Sequence, residues 1–236
     1  MKYLVYFSIL LLTDLVIKYV LNTSSIESIT LIPLFLDFYL TKNTGIALSL
    51  FSSSGGLTQI LLTITIFLAL GSMPLAFTYP YMKRFTYWPQ LFLGITFNYG
   101  LLLGWTSIMG EISITSVVLY LGAIFWTLGY DTIYGFQDVK DDEIIGIKST
   151  SLKFKKNSNI FLVSCYSIFI SSFLIIGILM NFNQFYYLFA LLPIIHMFIY
   201  QLKGLRINSP SNCLKIFKSN NFFGLLVLCN ILIGKF

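Results

Sequence analysis

Asp138 and Asp142 stand four residues apart in the string YDTIYGFQDVKDDEIIGIKSTSL, residues 130–152. On a helix that spacing puts both carboxylates on one face, where they repel unless a cation sits between them. Hard oxygen ligands with open coordination positions suit Mg²⁺, which takes one or two carboxylates and completes its shell with substrate phosphates. Lys140 and Lys148, in the same string, could bind those phosphates directly. Five of the nine acidic residues, Asp131, Asp138, Asp141, Asp142 and Glu143, fall in thirteen positions. A solvated acidic loop is the competing reading of this cluster. Asp131 reads either as a helix-end structural residue or as an outer group of the same site.

A second string, YPYMKRFTYWPQ at 79–90, sets Tyr79 and Lys83 four apart and follows them with Arg84. The planar fork of an arginine suits a carboxylate or a phosphate. Aromatic residues beside cations also anchor membrane helices at the interface, so an anchor is the competing reading here.

Both strings must be held by the rest of the chain, which is unusually apolar. Of 236 residues, 57% are hydrophobic, 17% aromatic and 10% charged, against about a quarter charged in a typical soluble domain. A soluble globule of this size cannot hide that much apolar surface, so a multi-span membrane protein is expected. About 20 mostly apolar residues cross a bilayer as a helix. Seven segments qualify: 3–21, 57–78, 89–108, 113–131, 159–180, 184–201 and 219–235. Asp14 and Lys18 inside the first segment, and the lack of a clear small-residue cleavage site, argue against a cleaved signal peptide. The fold class expected is therefore an all-α transmembrane bundle of about seven spans.

Charge sets the expected orientation. Twelve of the fifteen Lys and Arg fall at the N-terminus or in the loops after the second, fourth and sixth spans. By the positive-inside rule these face the cytoplasm, and both chemical strings lie among them. The net charge of +6 belongs to this asymmetry and does not point to nucleic acid. Cys165, Cys213 and Cys229 show no metal-ligand spacing; two of them sit in apolar runs, so they read as small buried hydrophobes. His196, the single histidine, reads as a helix-packing residue.

At the residues quoted above the chain resembles the UbiA family of intramembrane aromatic prenyltransferases. The likeness runs from about residue 62 to the C-terminus and takes in CLKIFKSNNFFGLLV at 213–227. The family's DxxxD motif falls on Asp138 and Asp142, and its YxxxK motif on Tyr79 and Lys83. The resemblance implies a helical bundle around a central cavity and transfer of a polyprenyl group from its diphosphate to 4-hydroxybenzoate, in ubiquinone synthesis. It implies Mg²⁺ at Asp138 and Asp142, catalytic roles for Tyr79 and Lys83, and a bacterial inner (plasma) membrane. Arg84 then becomes a candidate for the carboxylate of the aromatic acceptor, with Lys140, Lys148 and Asp131 around the substrates.

The family's first aspartate motif, of NDxxDxxxD type, has no counterpart before residue 79. Residues 1–55 resemble instead the start of lipoprotein signal peptidase, through Asp14 and Lys18 in LLLTDLVIKYV and through Asn43, Gly45 and Ala47 in an NTGxA pattern. Two domains are therefore expected: a one-span head over 1–56 and a prenyltransferase bundle over 57–236. The alternatives to a prenyltransferase are a non-catalytic membrane remnant of a gene fusion and a signal peptidase relative.

Overall fold

The computed structural model describes residues 12, 13, 16, 28–32, 36–39 and 56–235, with side chains at 12, 13, 16 and 63–235. Asp14, Lys18, Asn43, Gly45 and Ala47 lie outside the described residues, as does most of the expected 3–21 span. The chain forms two compact units, Met1–Gln59 and Ile60–Phe236. In the first, β1 (Ser28–Ile32) and β2 (Leu36–Tyr39) pair antiparallel, with an irregularity between Thr30 and Ile32.

Every regular element of the second unit is helical. The elements are α1 (Gly56–Phe85, which begins in the first unit), α2 (Pro89–Met109), α3 (Ile114–Gly135), α4 (Val139–Ile145), α5 (Thr150–Lys153), α6 (Ser158–Leu179), α7 (Gln184–Phe189), α8 (Leu191–Ile195), α9 (Pro210–Lys218) and α10 (Asn220–Lys235). A 3₁₀ turn at Lys155–Asn157 precedes α6, and a π turn at His196–Leu202 follows α8. Among the described residues six segments are long and apolar enough to cross a membrane: Thr63–Phe85, Pro89–Met109, Ile114–Gly135, Lys155–Leu179, Gln184–Leu202 and Pro210–Lys235.

The helix ends are written locally. Pro89 opens α2, where a missing N–H costs nothing. Ser113 caps α3 by accepting from the Ser116 N–H at 3.3 Å. Asn183 accepts from the Phe185 and Tyr186 amides and donates through Nδ2 to the Ile233 carbonyl at 2.9 Å. That bond ties the turn before α7 to the end of α10. Pro193 lacks the N–H that would bond the Phe189 carbonyl, and the helix breaks at Ala190 between α7 and α8.

Two boundaries differ from the expected ones. The second span does not end at 78: α1 runs on through Tyr79, Pro80, Lys83 and Arg84 to Phe85. A proline within a helix removes one hydrogen bond but need not end it when neighbouring turns hold. The expected loop at 210–218 is helix α9, opened by Pro210 and capped by Ser209.

The core lies between α3 and α6, with α2 packed on the other side of α3. Small residues permit this approach. A Cβ at Gly129 would come 2.5 Å from the Tyr166 ring, and one at Gly122 2.7 Å from the Ser172 side chain. Between membrane helices such close packing replaces a hydrophobic driving force that lipid does not supply. Leu162, Tyr166, Phe169 and Phe173 of α6 fill the interface and are almost wholly buried.

Candidate functional site

Asp138 is the N-cap of α4, and the Asp142 amide donates to its carbonyl at 2.8 Å. The two carboxylates are thus one helical turn apart, as their spacing requires. The Asp138 side chain caps no amide and is exposed, while Asp142 is half-buried. Gly146 ends α4 with φ +77°, a conformation costly for any other residue, and its amide returns to the Asp142 carbonyl at 3.0 Å.

That turn sends the chain back toward α1. The Lys148 amide donates to the Lys83 carbonyl at 2.9 Å, and Lys148 Nζ reaches the Phe85 carbonyl at 3.4 Å. The next residues form a buried, hydrogen-bonded plug. Gln90 Oε1 accepts from the Thr150 amide at 2.9 Å, and Ser151 Oγ donates to the Thr132 carbonyl at 2.9 Å. Thr132 Oγ1 donates to the Leu128 carbonyl, so in its 2.6 Å contact with Thr150 the latter hydroxyl is the donor. Gln90, Thr132, Ser149, Thr150 and Ser151 are each at most 5% exposed. This plug fastens the acidic loop to α2 and α3 and leaves α4 beside the end of α1.

The charges follow from that arrangement. Partial burial pushes the Asp142 carboxyl above the usual carboxylate range; Lys83 opposes the shift, and Asp138 and Asp141 reinforce it. Lys83 also interacts electrostatically with Asp131, and Asp131 with Tyr79. Lys83 is exposed and attracts two carboxylates from different elements, without an ion pair to either among the described residues. Asp142, Lys148, Lys153 and Tyr87 line one cavity of about 530 Å³, with Lys148 Nζ 5.7 Å from the Tyr87 ring centre and Lys153 Nζ 4.6 Å from that of Trp88.

Not every candidate joins this group. Lys140 lines a separate cavity of about 230 Å³ with Lys155, Ile207 and Pro210. Arg84 is exposed in the last turn of α1 and makes no hydrogen bond or ion pair among the described residues. Glu143 lines the same cavity as Asp142 and pairs with Lys155 at 2.9 Å. Among the described residues no group of three or more His, Cys, Asp or Glu gathers around one point. Two neighbouring carboxylates remain, a donor set that fits a hard divalent cation sharing its shell with phosphate oxygens. Gln90 and Thr150 escaped the sequence reading, because a single amide paired across sixty residues leaves no local pattern.

Comparison with known proteins adds an independent finding. The model of the UbiA prenyltransferase family matches residues 40–227. The match begins inside the 1–56 segment and ahead of residue 62, from which the likeness was expected to run. The mitochondrial 4-hydroxybenzoate polyprenyltransferase of Dictyostelium discoideum is 44% identical over 187 residues, covering 79% of this chain and 40% of the relative. That of Bos taurus is 40% identical over 172 residues, covering 72% and 46%. The 4-hydroxybenzoate geranyltransferase 2 of Lithospermum erythrorhizon is 38% identical over 196 residues, covering 80% and 62%. The chain thus spans about 40–46% of the length of the first two relatives. No solved structure matches.

Proposed function

The chain belongs to the UbiA prenyltransferase family, and from that premise we propose that it transfers a polyprenyl group from its diphosphate to 4-hydroxybenzoate within a membrane, as a step of ubiquinone synthesis. The single observation that carries this reading is the pairing of Lys148 with Lys83, which brings the DxxxD and YxxxK residues to one end of the bundle. Relatives named for the same reaction support it.

The chain is a multi-pass membrane protein, and its family uses divalent metal ions. The ion proposed here is Mg²⁺, held by Asp138 and Asp142 with diphosphate oxygens completing the shell. Its chemistry when bound is neutralisation of charge on the leaving diphosphate. Lys83 and Lys148 act on the same charge as point cations and stabilise it most as the C–O bond breaks. Tyr79 and Asp131 orient Lys83. Aromatic rings steady the allylic cation by cation–π contact. Arg84 holds the acceptor carboxylate by its fork, a ring carbon forms the new C–C bond as the C–O bond to diphosphate breaks, and the ring proton passes to the released diphosphate. Lys140, which lines a separate cavity, has no part in this step. The membrane proposed is a bacterial inner membrane, with the N-terminus and the acidic loop in the cytoplasm.

The test is Mg²⁺-dependent formation of prenylated 4-hydroxybenzoate in membranes of a host lacking its own enzyme. Product lost in Asp138→Ala and Asp142→Ala is expected. No product, together with no Mg²⁺-dependent retention of polyprenyl diphosphate by accumulated chain, would leave the remnant reading standing. A reporter inserted at 137 would check orientation, with a periplasmic signal as the contrary result. For residues 1–56 the proposal is a head derived from signal peptidase without its activity. A prolipoprotein left uncut by these membranes is expected, and cleavage would reverse that.

A further inference from the structure

A second cavity, of about 620 Å³, opens between the π turn and the start of α10, lined by Leu192, Ile195, His196, Tyr200, Phe222 and Leu226 together with Ser219. It shares no residue with the site above. Leu192, Ile195 and Phe222 are about half exposed on segments that cross the membrane, so the cavity opens sideways toward lipid. His196 itself is 9% exposed.

The proton of His196 can be placed by following donors through a buried chain of side chains. The Trp126 indole can only donate, and its Nε1–H meets Asn220 Oδ1 at 2.9 Å. Asn220 Nδ2 donates to the Phe217 carbonyl at 3.0 Å, which agrees with that orientation. Asn220 Oδ1 also accepts from Gln201 Nε2 at 3.1 Å, and Gln201 Oε1 accepts from the Tyr166 hydroxyl at 2.6 Å. The Gln201 amide is thereby held at both ends. Its NH₂ lies 3.4 Å from both His196 Nδ1 and Ser219 Oγ, and a lone pair on Nδ1 lets the second amide proton be shared between the two. The imidazole proton is then on Nε2, and this N–H finds no partner among the described residues. His196 lines the cavity, so an acceptor arriving there meets this N–H. Flat rings flank it: His196 stacks on Tyr200 at 5.1 Å and 27°, and Phe222 lies 5.8 Å away.

We propose that this cavity binds a lipid-soluble, flat carbonyl compound of the quinone type from the bilayer, its carbonyl oxygen accepting from His196 Nε2–H and its ring lying against Tyr200 and Phe222. An acyl chain would fill the apolar walls but leave the donor unmet. A soluble anion would find no cation among the lining residues. The π turn is the local device: it shifts the register of the helix after His196, so that His196 lines the cavity while Gln201 reaches the buried chain.

His196 is the single histidine, so selective ¹⁵N-histidine labelling gives one imidazole to observe. The whole chain in phosphatidylcholine nanodiscs is titrated with 2-decyl-1,4-benzoquinone, and in parallel with decylbenzene. An Nε2–H tautomer near neutral pH and a saturable shift of that N–H with the quinone are expected. Decylbenzene should give no such shift, and Phe222→Ala should weaken quinone binding about five-fold. An Nδ1–H tautomer, a shift that rises without saturating, the same shift with decylbenzene, or unchanged affinity in Phe222→Ala would each overturn the proposal. Should Phe222→Ala fail to fold, the unmodified chain still decides by its tautomer and its response to the two ligands.

Discussion

At the scale of single residues, Asp142 carries a charge its surroundings resist. Burial raises its pKa, and Asp138 and Asp141 add to the shift against Lys83. The folded chain therefore binds the Asp142 proton more tightly than the unfolded chain does. Its contribution to stability falls as pH rises from the ordinary carboxylate range through the raised value, then stays level. Asp142→Asn is thus expected to melt higher than the parent near pH 7, with the gap closing on acidification below the ordinary carboxylate range. Added Mg²⁺ and diphosphate should raise the melting temperature of the parent and leave Asp142→Asn unmoved. Melting curves across pH check both, and a gap that widens in acid would contradict the first. Gln90 makes a separate case. Gln90→Met leaves the buried Thr150 amide without its acceptor, at a cost of about 1–3 kcal/mol. Thermal unfolding of that variant measures it, and an unchanged midpoint would mean water takes the place of Oε1.

Elements matter here mainly through how closely they approach. α3 and α6 meet across Gly122 and Gly129, and Tyr166 fills the space a side chain would need. Tyr166 is wholly buried and bonded to Gln201, so it has little room to yield. Gly129→Ala is expected to destabilise the bundle by about 1–3 kcal/mol through overpacking, despite alanine's better helix propensity. Resistance to denaturant in detergent is the measurement, and a more stable variant would show that the interface relaxes. α4 depends on its ends in the same way. Its length of seven residues gives it little independent stability, so its place comes from Gly146 and from the plug at 149–151.

For the whole molecule the question is how much rate one aspartate motif sustains. The chain holds the Asp138/Asp142 pair and lacks a counterpart of the family's other motif before residue 79. Removing one electrostatic stabiliser of a leaving charge typically lowers rate by about 10²–10³. Turnover in membranes holding this chain is therefore expected at least that far below a full-length relative measured beside it. Equal turnover would show that a single pair, with Lys83 and Lys148, is enough. Lys83→Met should lower the remaining rate by about the same factor, since that ammonium acts electrostatically on both Asp131 and Asp142.

What the amino-acid sequence determined by itself was whatever is repeated or strongly patterned. Bilayer-length apolar runs, the bias of Lys and Arg, the four-residue spacings and the family motifs are all local or additive signals, and among residues 56–235 the helices cover the runs. Its limits show at particular residues. Pro80 reads as a loop, yet α1 continues through it to Phe85, because cooperative helix formation outweighs one missing bond. The DxxxD and YxxxK strings are separated by more than fifty residues, and spacing along a chain does not say which ends meet. Only the tertiary structure decided that Lys148 bonds to the Lys83 carbonyl, that Lys140 turns to another cavity, and that Gln90 anchors Thr150. Each of these depends on one hydrogen bond or one close approach between distant segments. Such pairings are chosen by packing the whole bundle at once, since a buried polar group must find its partner wherever the fold has left one.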